Sequence, residues 1–468
     1  MPLLHLPFFT RRGPTDDWQS GKGTYGWNPR PGAAGPGALI LRSWRIAWPM
    51  TLIMLFEFLI GLTDVYVAGR VGRDVQAAYG FVIQLYFIFV VVANALTVGT
   101  VSVVSRLYTS GDKDELTAAI FSSLAVTGAA GVLFALVGVV FTPELIKLLN
   151  IPSQLKPICI PLVTIYSAGL FFEYLLTNCN GVLRSCGRIT TSLRTMAVVC
   201  ALNITLNIFF VFYTPLSFKG IALATALSAF AGSLINLSKV RKVMTGALTY
   251  SKRTVRRIID IGWPMGALQV LWQLGSIVLF LILSALPQNK VEILAALTAG
   301  LRIESAVYLP AFAFNMANAV IVGNLLGEKK EEEAYRSGLA TALTGVLMVA
   351  LLVAAVILNA RRIASLLSQN PIVVRESVRY LKIAMISEPF MACGAILGGG
   401  LSGAGDTRSV LARVAFSIWA VRIPLAYLFI VVLGFGAASV WWSMNISQFV
   451  QCYLIYRRYA RRKWLLPS

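Results

Sequence analysis

The sequence predicts an all-α integral membrane protein of twelve transmembrane helices, arranged as two parallel six-helix bundles. Three observations predict it. Of the 468 residues, 57% are hydrophobic and 13% are charged, where a soluble domain carries roughly 25% charged residues. Twelve apolar stretches are each long enough to cross a bilayer. The two halves of the chain also echo each other at a nearly fixed offset.

The spans fall at about 45–69, 76–106, 117–141, 157–183, 191–213, 218–239, 256–285, 291–326, 335–358, 376–402, 409–433 and 435–456. The second and eighth exceed the roughly 20 residues a bilayer needs, so they tilt, bend or extend beyond it. Pro310 and Pro389 each remove a helical hydrogen bond and favour a bend in the eighth and tenth spans. Pro49 and Pro264 lie near span starts, where proline is tolerated.

The 41 lysines and arginines sort by side of the membrane. The side that receives both termini and the even-numbered loops holds 28, the other side holds 11, and Arg302 and Arg422 fall inside spans. This bias places both termini in the cytoplasm of a plasma or bacterial inner membrane. The formal net charge of +21 therefore reads as topology and lipid attraction, not nucleic-acid binding. Residues 1–43 read as a disordered cytoplasmic tail, 44–240 as the first bundle, 241–256 as a basic linker, 257–457 as the second bundle and 458–468 as a basic tail. Glu328 to Arg336 reads as a solvated loop.

The repeat is read from four echoes in the same order. Ile46-Ala-Trp-Pro-Met50 returns as Ile261-Gly-Trp-Pro-Met265. Val104 to Glu115 returns at Val322 to Glu333, Leu183 to Gly187 at Leu401 to Gly405, and Lys219 to Ala222 at Phe435 to Ala438. A repeated unit of six spans enters the membrane in the same direction each time, so the halves are related by a pseudo-twofold axis along the membrane normal. A cleft between two such bundles is a transporter architecture. No constellation at either surface points to an enzyme. A single histidine, His5, excludes histidine-based zinc and Ser/His/Asp chemistry. Six cysteines without C-x-x-C spacing read as packing residues.

Asp64 is the residue most expected to carry function, because a carboxylate in hydrocarbon is costly. Glu57 stands two helical turns earlier on the same face. Asn203 and Asn207, at i and i+4, face one way and are expected to point at partners inside the bundle. Amide oxygens, a hydroxyl and a carboxylate form a hard-oxygen set suited to a small cation; the same groups could also serve only to bind helices together. Glu173, Glu304, Glu388 and Arg422 are further intramembrane charges, with Arg422 and Glu388 one candidate pair. Gln84, Trp272, Gln273, Tyr308 and Asn315 are candidate cleft residues.

The chain resembles the multidrug and toxic compound extrusion (MATE) family over about residues 40–460. The resemblance rests on Pro49 followed by Asp64-Val-Tyr-Val-Ala-Gly69, on Asn180-Gly-Val-Leu-Arg-Ser-Cys-Gly187 and its echo Gly400 to Thr407, on Asn203 to Asn207, and on Gly220 to Thr225. It implies an ion-driven antiporter that expels small amphipathic, often cationic compounds by alternating access. No cofactor is expected, and a monomer is enough for this architecture. It also implies a cation-coupling site at Asp64, Asn203, Asn207 and Thr225. Read from the residues themselves, Glu57, Gln84, Gln273, Glu304, Tyr308 and Glu388 are the substrate-cleft candidates. Asn207 departs from the family, which commonly has an acid there. One carboxylate with neutral partners pulls less strongly on sodium, so a proton is the favoured coupling ion and sodium the alternative. A lipid-linked precursor flippase is a second transport reading, although such a protein would be expected to show a strongly cationic cavity. A non-transporting scaffold is a third.

Overall fold

Long runs of Leu, Ile, Val and Ala satisfy their backbone polar groups internally only as helices when no water is near. The computed structural model describes residues 35–149, 151–286, 290–368 and 370–465. The helices of the first half are α1 (Pro36–Val71), α2 (Arg73–Ser110), α3 (Lys113–Leu148), α4 (Lys156–Ser185), α5 (Ile189–Phe212) and α6 (Lys219–Arg241). Those of the second are α7 (Lys252–Ser284), α8 (Lys290–Gly327), α9 (Glu331–Leu358), α10 (Ala360–Leu367), α11 (Pro371–Ala384), α12 (Glu388–Gly403), α13 (Thr407–Ala415), α14 (Ile423–Tyr427) and α15 (Ala438–Ala460).

Among the described residues, eleven helical segments are long and apolar enough to cross a membrane, counting α11 with α12 as one and α13 through Val432 as another. The twelfth, α15, is less apolar because it buries Ser443, Asn445, Ser447, Gln448 and Gln451 against the second half. The tenth span breaks where expected: a 3-10 turn over Met385–Ser387 separates α11 from α12, and Pro389 falls in the first turn of α12. Pro310, by contrast, lies within an unbroken α8. The eleventh span holds two π-helical stretches, Phe416–Arg422 and Leu428–Val432, which the sequence pattern does not announce.

The same helix pairs pack in both halves. α4 packs on α2, α3 and α6, as α12 packs on α8, α9 and α15. Between halves, α1 meets α8 and α2 meets α7, a reciprocal pair, while α2 meets α8 across the axis. The repeated Gly187 and Gly405 explain one echo. Both adopt positive φ, 69° and 87°, and each closes its helix with the same pair of bonds. Gly187 N donates to Arg184 O and Arg188 N to Leu183 O; Gly405 N donates to Ser402 O and Asp406 N to Leu401 O. Glycine adopts this left-handed helix stop without a Cβ penalty.

The bonds between halves cluster at one end of the molecule, where α1 and α7 begin and α2 and α8 finish. Ser43 bonds Thr341 at 2.7 Å, Ser102 donates to Gly403 O at 3.1 Å, Thr109 donates to Asn324 O at 2.7 Å, and Arg106 donates to Ala404 O. Arg42 pairs with Glu333 at 2.8 Å, so Glu333 is part of this seam and not merely of a solvated loop. Gly99 and Gly262 let α2 and α7 touch backbone to backbone, against Ile258 O and Ala95 O.

Most of the 1–43 tail lies outside the described residues, but α1 already begins at Pro36. The basic linker is not free: Gly246 N, Ala247 N and Ser251 N donate to Thr117, Asp114 and Ser122 on α3. All six cysteines are free thiols.

Candidate functional site

Asp64 is 3% exposed, about 14 residues and hence roughly 21 Å of helix beyond Met50, which shares a buried core cluster with residues of the second half. Four helices aim donors at its carboxylate. Asn207 Nδ2 on α5 donates to Oδ1 at 2.5 Å. Thr225 Oγ1 on α6 donates to Oδ2 at 3.3 Å, and Tyr79 on α2 and Tyr166 on α4 each donate to Oδ2 at 3.4 Å. Asn203 Nδ2 donates to Thr225 Oγ1 at 3.2 Å. The four residues expected to form the cation-coupling site therefore do converge. Every partner of the carboxylate is neutral, and among the described residues none of the ion pairs involves Asp64. Two buried acceptors beside it, Asn203 Oδ1 and Asn207 Oδ1, have no hydrogen-bond donor among the described residues.

Tyr79 and Tyr166 are absent from the sequence expectation. Their spacing carries no signal, because tyrosines in membrane helices more often anchor at the interface. Here Tyr166 also packs on Tyr86, with ring centroids 5.1 Å apart.

The cleft candidates divide. Glu57, Gln84 and Gln273 are exposed. Glu57 lies within electrostatic reach of Arg184 and Glu173; Arg184 itself reaches across the seam to Met316 Sδ at 2.8 Å. Glu304, Tyr308 and Glu388 instead join a second buried cluster inside the second half. Tyr380 donates to Glu304 at 2.6 Å and Tyr308 to Glu388 at 3.4 Å. Arg422 donates to Ser447 at 2.8 Å, and its guanidinium lies 5.5 Å from the centroid of the Trp272 ring. Arg422 thus shares the cluster with Glu388, but without a direct ion pair among the described residues. Glu388 Oε2, Arg422 Nη2 and Gln448 Oε1 are buried without a hydrogen-bond partner among the described residues. The cluster joins α8, α11, α12, the π-helical stretch and α15, the counterparts of the helices around Asp64.

A model of the MatE family matches residues 49–209 and 264–428. The chain belongs to the MatE family. The two matched stretches begin at Pro49 and Pro264, one in each half, at the offset of the Trp-Pro-Met echo. Among curated relatives, the uncharacterized transporter YisQ of Bacillus subtilis is 23% identical over 90% of this chain and 94% of its own. A probable multidrug resistance protein NorM of Bradyrhizobium diazoefficiens is 26% identical over 89% of this chain and 93% of its own. Among solved structures, a MOP superfamily transporter from Pyrococcus furiosus superposes with a TM-score of 0.85 at 20% identity, over 93% of this chain and 98% of that one. An outward-facing multidrug resistance MATE family transporter superposes with a TM-score of 0.83 at 21% identity, over 92% and 97%. This MatE protein is a multi-pass membrane transporter of small compounds and not an enzyme.

Proposed function

We propose that the chain is a secondary antiporter that exports small amphipathic cations in exchange for protons, and that Asp64 carries the proton. The observation that supports this most is a buried carboxylate met only by neutral donors. In hydrocarbon such a group needs an incoming positive charge, and a proton supplies it. The excess of basic residues at the seam end supports a cytoplasmic position for that end. The arrangement described is then sealed towards the cytoplasm, with Asp64 loaded from the opposite side. Glu57, Gln84 and Gln273 line the route taken by substrate, where the acid favours cations. The chain works as a monomer with both termini cytoplasmic, and it needs no cofactor.

Sodium is a second reading, supported by the two unpartnered amide oxygens. With the Asp64 carboxylate and Thr225 hydroxyl they would make an oxygen set that fits a hard cation. Efflux of ethidium from proteoliposomes under an imposed proton or sodium gradient separates the two. Proton-driven efflux is expected. Efflux driven by sodium alone would overturn the choice of ion.

A further inference from the structure

Five of the 11 basic residues assigned to the side away from the termini cluster at 361–382, around the connection from the ninth to the tenth span, and the proposed exchange at Asp64 does not involve them. They run against the bias that orients the rest of the chain. All five are exposed. Arg361 and Arg362 lie on α10, and Arg375, Arg379 and Lys382 lie on α11 at i, i+4 and i+7, on one face. Arg302 is exposed on α8, against which α11 packs. The one acid in the segment, Glu376, is taken by Arg375 at 3.5 Å. Among the described residues, no carboxylate lies within 4 Å of the other five cations.

An apolar groove of about 380 Å³ opens beside them, between α8, α9 and α10. Ile303, Val307, Leu352 and Val356 form its walls, and Asn359 and Ile363 form its end. The arginines flank that end: Arg361 and Arg362 stand between Asn359 and Ile363, and Arg302 directly precedes Ile303. α10 is two-faced, with Ala360 and Ala364 buried and Leu366 86% exposed. An exposed leucine beside exposed arginines on a short helix is the pattern of a segment lying in a membrane interface.

We propose that this groove binds an anionic phospholipid of the leaflet opposite the termini. One acyl chain lies along α8 and α9, and the phosphate rests on Arg361 and Arg362. A hydrocarbon channel ending in unpaired guanidinium groups matches a chain ending in phosphate, and arginine suits phosphate through paired N–H donors. The lipid also bears on the second half's buried cluster, because α11 carries Tyr380, the donor to Glu304. This inference holds whichever ion Asp64 exchanges.

The test is native mass spectrometry of the delipidated full-length protein, titrated with phosphatidylglycerol or with phosphatidylcholine of the same acyl chains. The native protein is expected to retain phosphatidylglycerol preferentially. A basic residue near an anionic headgroup is worth about fivefold in affinity, so the Arg361→Gln/Arg362→Gln variant should bind it on the order of tenfold more weakly or worse. Ala355 also lines the groove, and Ala355→Trp, which fills it and keeps the charges, should displace the same lipid. Arg457→Gln/Arg461→Gln at the opposite end should not. Equal retention of the two lipids by the native protein, or unchanged phosphatidylglycerol binding in both groove variants, would overturn the proposal.

Discussion

Asn207 Nδ2 donates to Asp64 Oδ1 at 2.5 Å, joining α5 to α1 across 143 positions of chain. This amide occupies the place where relatives are expected to carry a second acid. Asn207→Asp puts a second carboxylate against the first, and like charges that close hold a cation or a proton between them. The variant should bind sodium at least tenfold more tightly than the native protein. Calorimetric sodium titration of both proteins checks this, and equal affinities would refute it. Asn207→Ala removes a bond to a charged group and should cost about 1.5–3 kcal/mol of stability, read by thermal unfolding in detergent.

Tyr79 and Tyr166 hold the same carboxylate oxygen from two further helices. Tyr166→Phe keeps the ring that packs on Tyr86 and removes only the donor. Transport should slow while the fold survives, and the Tyr79→Phe/Tyr166→Phe double variant should be slower than either single. Ethidium efflux rates from proteoliposomes measure this; native rates in the double variant would show that the hydroxyls are bystanders.

In the second half, Glu304 and Glu388 are 2% and 0% exposed and face a single guanidinium. Removing one member of a buried charge set leaves the rest uncompensated, at about 3–5 kcal/mol. Arg422→Gln should therefore be strongly destabilising, and adding Glu388→Gln should restore part of the loss. A double-mutant cycle on thermal unfolding yields the interaction energy. Additive losses would mean that Arg422 and Glu388 do not feel each other.

Gly99 and Gly262 permit backbone contact between α2 and α7, and a Cβ at either position would meet a carbonyl oxygen. Gly262→Val should hold the seam apart and favour the state open at the terminal end. Alkylation of a cysteine placed at Ser102, which is 2% exposed, should be faster in the Gly262→Val background. Unchanged labelling would mean that the seam is not the gate.

The helical architecture was legible because hydrocarbon imposes it: the apolar spans and the offset between Pro49 and Pro264 carry it directly. Asp64, Asn203, Asn207 and Thr225 were legible because polar atoms in a membrane helix are costly and stand out. Tyr79, Tyr166 and Tyr380 were not, since a tyrosine looks the same in sequence whether it anchors at an interface or donates to a buried carboxylate. The split among the acids was also hidden. Glu57 and Glu304 look alike in sequence, yet one is exposed and the other is enclosed by α8 and α11. The π-helical turns that end at Arg422 depend on packing against α15 and leave no pattern in the chain.

The most direct test of Asp64 as the proton carrier is substrate-induced proton release from the purified protein in weakly buffered detergent. Adding ethidium to the native protein should release protons, and Asp64→Asn should bind the dye without releasing any. Release that persists in Asp64→Asn would contradict the account and move the proton to another group.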